Sequence, residues 1–230
     1  MESFAAIFAA LHPERVSGLV LLDAPLAFGA EGGPLARAVA ALPHARMIRG
    51  IVGSPVSGSV INVLSLAAVP EAFQLQRFTD LAACIFDPKA LAIHARVERW
   101  SYDEFPLPGQ LFEDVLEQLY RNDCFLKGTL QLNDRQAGVA DLRDPVVSVI
   151  NTVGRIVPPR SILNGLEAAA TASFQVLKYD GDRGPMLQHL GPLVAPAAHQ
   201  WLWPHILDWT HSCWTGRVAG AQRSRRNGRR

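Results

Sequence analysis

Three short apolar runs constrain the fold of this 230-residue chain more than any other feature. Gly18 to Leu22 is continuously apolar and bounded by turn-like residues, the signature of a strand buried on both faces of a parallel sheet. VVSVI at residues 146–150 repeats that pattern, and FQVLKY at 174–179 adds alternation and aromatic content, marking a third strand. The spacing around them is helical. SFAAIFAAL, residues 3–11, sets Phe4, Ile7, Phe8 and Leu11 on one face and stops ahead of Pro13. Pro158 and Pro159 open a helix after the second run, a first-turn use of proline. A last helix is predicted from about Ala197 to Trp214, carrying Trp201, Leu202, Ile206, Trp209 and Trp214, with Pro204 placed to bend or restart it.

Residues 28–141 break the strand-helix alternation with Ala- and Leu-rich helical stretches punctuated by Gly and Pro, and the one strand-like segment there is near Gly128 to Leu132. Within it LFEDVLEQLY, residues 111–120, puts Leu111, Val115, Leu116 and Leu119 on one face. The order helix, strand, long helical insertion, strand, helix, strand, loop, helix resembles the second half of the α/β-hydrolase fold. The expected fold class is therefore α/β: an incomplete α/β-hydrolase fold, the C-terminal half of a mostly parallel sheet, with a helical cap insertion. The expected organisation is a core of residues 1–27 and 142–215, a cap of 28–141, and a disordered basic tail of 216–230. A helix that enters the first strand directly, with no strand before it, predicts that the chain begins in the middle of a strand-helix repeat.

Composition narrows the functional classes. Lys plus Arg number 22 against 21 Asp plus Glu, which gives no reason to invoke nucleic acid. The exception is RVAGAQRSRRNGRR after Gly216, which has six Arg and no acidic or aromatic residue, a composition read as disordered. No segment reaches the roughly 18 uninterrupted apolar residues of a membrane helix, and the opening residues lack the basic start of a signal peptide. Cys84, Cys124 and Cys213 are odd in number and widely spaced, which fits neither a disulfide framework nor a zinc site and points to the cytoplasm. No cofactor motif or metal-ligand set is present, and His205 and His211 lack the spacing to share a helical face.

Acyl transfer on such a scaffold requires a nucleophile on a strand-to-helix elbow, then a carboxylate, then a histidine. No Gly-x-Ser-x-Gly or Gly-x-Cys-x-Gly occurs. Ser57 follows no strand, and Cys84, in LAACIF, reads as a buried inert thiol. His189 lies in the glycine-punctuated loop after FQVLKY, where the fold presents its general base. His12, His44, His94, His199, His205 and His211 have no such setting. The carboxylate should follow VVSVI, yet NTVGRIVPP contains no acid; Asn151 and Gly154 hold the expected places, leaving Asp180 or Asp182 as substitutes.

LHPERVSGLVLLDAPLAF, WSYDEFPLPGQLFEDVLEQLYRNDCFLKGTL, RIVPPRS, QHLGPLV and the Trp-rich last helix together resemble successive landmarks of the polyhydroxyalkanoate synthases, closest to the class III type. The resemblance implies an acyltransferase of the α/β-hydrolase superfamily that polymerises hydroxyacyl groups from coenzyme A thioesters at cytoplasmic polyester granules. It assigns His189 the general-base position. It assigns no acid, since Gly154 or Asn151 stands there, and no Cys, since the family's elbow would end at about Met1 and Glu2. The resulting expectation is a truncated or degenerate synthase-like acyltransferase, inactive alone. The alternatives are a non-catalytic homologue that binds acyl groups, a synthase subunit or a granule surface, and a fragment of an esterase. An uncovered strand edge and sheet face further predict self-association.

Overall fold

The computed structural model describes residues 3–103, 105–171, 173–181 and 190–227, with side chains to residue 215. Helix α1 (Ser3–Leu11) leads through a 3₁₀ turn into β1 (Leu19–Leu22). After a long excursion the chain returns as β4 (Val146–Asn151), α8 (Pro159–Ala168) and β5 (Phe174–Tyr179), so the three runs predicted as strands are strands. They form one parallel sheet in the order β1-β4-β5, with Leu19 opposite Val146 and Val146 opposite Phe174. Parallel pairing needs crossover connections, and here one is α8 and the other is the whole insertion.

The two-residue period of a strand sorts the core onto two faces. Leu19, Leu21, Val146 and Ile150 enter one apolar cluster with Ala6, Ala9 and Ala10 of α1 and Ile162 and Leu166 of α8. Val149 and Tyr179 enter a second with Leu190, Leu202 and Ile206, against which Val20, Leu22 and Leu177 pack. All six residues of β4 are buried, as a central strand with both faces covered demands.

Between β1 and β4 lie α2 (Gly33–Ala41), α3 (Ala45–Val52), α4 (Gly58–Ala68), α5 (Gln76–Cys84), α6 (Pro88–Ser101), α7 (Gly109–Asp114) and the antiparallel hairpin β2 (Leu130–Leu132) to β3 (Arg135–Ala137). The sequence reading placed one continuous amphipathic helix over 111–120; instead α7 runs into a wider, π-helical stretch, Val115–Arg121. The wider turn changes which side chains face inward. Phe112 and Leu119 are buried, whereas Leu111, Val115 and Leu116 are half-buried. Helix α6 is tied to α5 by a two-pronged ion pair, Arg77 Nε donating to Glu98 Oε1 at 2.9 Å and Oε2 at 3.0 Å, with Arg77 Nη2 also donating to Oε2. This contact raises the Arg77 pKa, and the guanidinium lies 4.7 Å from the centroid of the Tyr102 ring.

The chain ends in α9 (Gly191–Val194), a π-helical turn Ala198–Leu202, and α10 (Trp203–Asn227). The sequence reading ended this helix at Trp214 and left 216–230 disordered; the structure carries the helical backbone to Asn227. Arg and Ala have high helix propensity and no proline interrupts the segment, so the backbone hydrogen bonds continue. No single helix among the described residues is long and apolar enough to cross a membrane.

The exit of β1 is laid against α8, with Leu26 N and Ala27 N both donating to Ser161 O, at 3.1 and 2.8 Å. This close approach depends on Gly165, where an added Cβ would stand 2.2 Å from Leu26 Cβ. Gly165→Ala is accordingly expected to lower stability by about 1–3 kcal/mol through overpacking, measured as a fall in the urea midpoint at unchanged slope.

Candidate functional site

Open α/β sheets place their sites beyond the carboxyl ends of the strands. Here those ends face a cavity of about 480 Å³ between sheet and insertion. The sheet side contributes Asp23 at the exit of β1, Ser3 in the first turn of α1, and Ile156 beyond β4. The insertion contributes Trp100 and Tyr120, while Leu190 and Leu193 close the flank. A second cavity of about 650 Å³ shares Trp100, Leu190 and Leu193 with the first and reaches outward past Arg96 and His199. Arg96 and Trp100 also border a recess with Arg99 and Tyr102. The interior is thus apolar and the outer end cationic and aromatic.

His189 and Asp182 lie outside the described residues. The remaining candidates for the carboxylate position are described. Asn151 is buried, and its Oδ1 accepts from Val153 N at 3.3 Å, closing the turn after β4. Gly154 stands against it, and a Cβ there would come within 3.1 Å of Asn151 Cγ. Asp180 is exposed and accepts from Thr152 Oγ1 at 2.6 Å. One strand over, a residue not singled out by the sequence reading occupies a prominent place. Asp23 is buried at the cavity wall in the left-handed region, φ 53°, with its N donating to Val149 O at 2.8 Å and its Oδ1 accepting from Asn151 N at 3.3 Å. Non-glycine residues seldom hold such a φ, and Asp is among the few that do. The signal available in the sequence was an acid ending an apolar run, LVLLD, where an α/β strand delivers function.

Of the other candidates, Ser57, Cys84, Cys124, Cys213, His44 and His205 do not line the cavity. Cys84 is buried, its Sγ donates to Leu81 O at 3.4 Å, and burial pushes the thiol pKa up, so the thiolate is disfavoured. Ser57 caps α4, accepting from Val60 N at 3.4 Å. Cys124 and Cys213 are half-buried free thiols that do not line the cavity. His44 caps α3 through Nδ1, and His205 Nδ1 meets Trp201 O at 2.6 Å. Ser3 reaches the cavity, but its hydroxyl donates to Pro25 O at 2.7 Å, fastening the start of α1 to the exit of β1. Among the described residues no group of His, Cys, Asp and Glu is arranged to hold a metal ion.

A parallel sheet whose strand ends open beneath a helical insertion fits an incomplete α/β-hydrolase fold. The comparisons are more particular. Curated poly(3-hydroxyalkanoate) polymerase subunits match the chain at 20–24% identity over about 90% of its length, which supports a distant relation to the polyhydroxyalkanoate synthases. It is 24% identical over 209 residues to the poly(3-hydroxyalkanoate) polymerase subunit of Allochromatium vinosum, covering 90% of this chain and 56% of the relative. It is likewise 24% identical over 209 residues to that of Thiocystis violacea, with the same coverage. The subunit of Haloferax mediterranei is 23% identical over 208 residues, 90% of this chain and 41% of the relative. The chain therefore spans about half the length of the curated relatives it matches. Among solved structures an N-acyl homoserine lactone degrading enzyme is similar at a TM-score of 0.42 and 13% identity, over 89% of this chain and 63% of that one. No family model matches.

Tyr120 gives the cavity a measurable property. Its ring meets Phe28 edge-on, centroids 5.3 Å apart, and burial pushes its phenol from 10.0 up to about 12. Burial favours the neutral form in the fold, so this contribution to stability is fully present below pH 10 and is lost as pH rises from 10 to about 12. The loss should reach about 3 kcal/mol at most. Tyr120→Phe, unable to ionise, is expected to show a flatter decline in melting temperature across that window.

Proposed function

We propose that this chain forms the general-base side and the substrate-facing cap of a hydroxyacyl-coenzyme A acyltransferase related to the polyester synthases, with His189 as the base and the nucleophile supplied from outside these residues. The observation that carries this reading is the pair of cavities meeting at Trp100, Leu190 and Leu193. Their apolar interior suits an acyl chain. Arg96, Arg99, Trp100 and Tyr102 at the outer end offer cations for phosphates and aromatic faces for a base, the chemistry of a coenzyme A moiety. His189 immediately precedes Leu190, which lines both cavities. The three free thiols suit a cytoplasmic setting.

On this reading the chain binds 3-hydroxybutyryl-coenzyme A without releasing coenzyme A. Calorimetry should report saturable binding, weakened at least tenfold by Arg96→Glu. Supplying N-acetylcysteamine as an external thiol should reveal thioester exchange above background, and His189→Ala should slow it by a factor of about 10² or more, the ordinary contribution of a positioned base. Absence of binding, or release of coenzyme A by the chain with no added acceptor, would refute this reading.

The reading extends to self-association. Phe78 in α5 is 70% exposed and Phe86, in the turn after that helix, 97%, with Leu75 just before α5 and Ile85 just after it also exposed. Exposed large apolar side chains gathered in one short segment of this kind mark a contact site. Sedimentation should show a species larger than the monomer, shifted toward monomer in the double variant Phe78→Ser, Phe86→Ser. A monomeric wild-type chain would leave that surface to a synthase subunit or a granule instead.

A further inference from the structure

The apolar side chains of the insertion fall into two clusters that do not close on each other. Phe112, Ile61 and Leu64 belong to a cluster of the insertion itself, whereas Leu35, Val115 and Tyr120 pack against the core that covers the sheet. Between the two lies a cavity of about 200 Å³, walled by α2, α4, α7 and the π-helical stretch, with every lining residue drawn from the insertion. No charged side chain lines it, and Ser65 and Tyr120 alone among the lining side chains carry a polar atom. Leu107 in its wall is pinned by paired backbone hydrogen bonds with Val56, both 2.9 Å. Leu35, Val115 and Tyr120 line this cavity and the strand-end cavity alike. We infer that the smaller cavity is a binding pocket for a linear alkyl chain of about six to eight carbons, reached from the strand-end cavity, with the Tyr120 hydroxyl donating to an oxygen on that chain.

Three observations carry this assignment. The first is size and lining. A dry apolar cavity of about 150 Å³ is enough for benzene, so one of about 200 Å³ admits a short alkyl chain. Side chains facing a gap forgo dispersion contacts that an alkyl guest restores, and a wall without charge accepts the chain but not a charged headgroup. The second is helix register. Val115 and Tyr120 are five residues apart, a spacing that in an α-helix turns two side chains about 140° from each other. The i→i+5 pairing of Val115–Arg121 brings them onto one wall, and widened turns of this kind recur at functional sites. The third is Tyr120 itself. Phe28 braces its ring edge-on, and the phenol stays protonated well past pH 7, so it stands as a donor. Its hydroxyl has no hydrogen-bond partner among the described residues, and a donor so enclosed gains from an acceptor that a guest brings. The source of the guest rests on the acyltransferase reading: it is the distal part of a 3-hydroxyacyl group, with its hydroxyl at Tyr120 and its thioester toward the strand ends.

Calorimetric titration of the full chain with 1-octanol, which carries an alkyl chain and one oxygen but no coenzyme A, tests the pocket apart from that reading. Saturable binding is expected. Ala68→Leu, at a position lining the gap, should weaken it about tenfold or more while raising the melting temperature of the free chain, because the added side chain fills the void. Tyr120→Phe should weaken 1-octanol about threefold to tenfold and leave the binding of benzene unchanged, since only the hydroxyl is removed. Among thioesters, 3-hydroxydecanoyl-coenzyme A should bind at least about tenfold more tightly than 3-hydroxybutyryl-coenzyme A, and Ala68→Leu should erase the difference. No saturable binding of 1-octanol, or binding that a folded Ala68→Leu leaves unchanged, overturns the pocket. Should Ala68→Leu fail to fold, Tyr120→Phe decides, and an unmoved 1-octanol affinity refutes the assignment. Binding of 1-octanol with these signatures but of neither thioester upholds the pocket and counts against the function proposed above; equal binding of both thioesters without 1-octanol refutes the pocket and leaves that function standing.

Discussion

The structure depends on β4. Six consecutive buried residues between two parallel neighbours leave its backbone no partner but β1 and β5, and its side chains no environment but the two apolar clusters on either face. Buried backbone groups that lost this pairing would carry the desolvation cost of unmade hydrogen bonds, on the order of 1–3 kcal/mol each. Because β1 and β5 are separated in sequence by more than a hundred residues, this one strand converts a discontinuous chain into a single sheet and fixes where every strand ends.

Where the strands end decides where chemistry is possible. The exit of β1 is anchored three ways: to α8 through Ser161 O, to α1 through Ser3, and to β4 through Asn151 N. A loop so tied holds Asp23 at a fixed position in the cavity wall. The insertion supplies what the sheet lacks, an apolar roof from Trp100 and Tyr120 and a cationic outer end at Arg96 and Arg99. The Arg77–Glu98 pair holds α5 to α6 and so sets the position from which α6 projects those outer residues.

Much of the framework was legible because its elements obey local rules. Continuous apolar runs between turn residues gave β1 and β4, alternation gave β5, and prolines marked the starts and stops of helices. The one clear departure is the π-helical stretch Val115–Arg121, a choice of hydrogen-bond register in which alternatives differ by little locally and packing tips the balance. Candidate chemistry followed the same division. Cys84 was readable as an inert thiol from its apolar surroundings, and the structure agrees. Asp23 carried only a weak signal, an acid ending an apolar run, which does not by itself tell whether the side chain faces solvent, a turn or the cavity it lines.

By itself the sequence determined the class of the fold, the strands and their direction, and the kinship with polyester synthases, because hydrophobic period and turn chemistry are local properties that survive at 24% identity. It also determined that no acid follows β4, which is a matter of composition. The tertiary structure alone decided what lies beside that strand end. Only sheet register can bring the end of β1 beside the end of β4, residues 128 positions apart, and only the packing of the insertion across that edge encloses a cavity around them.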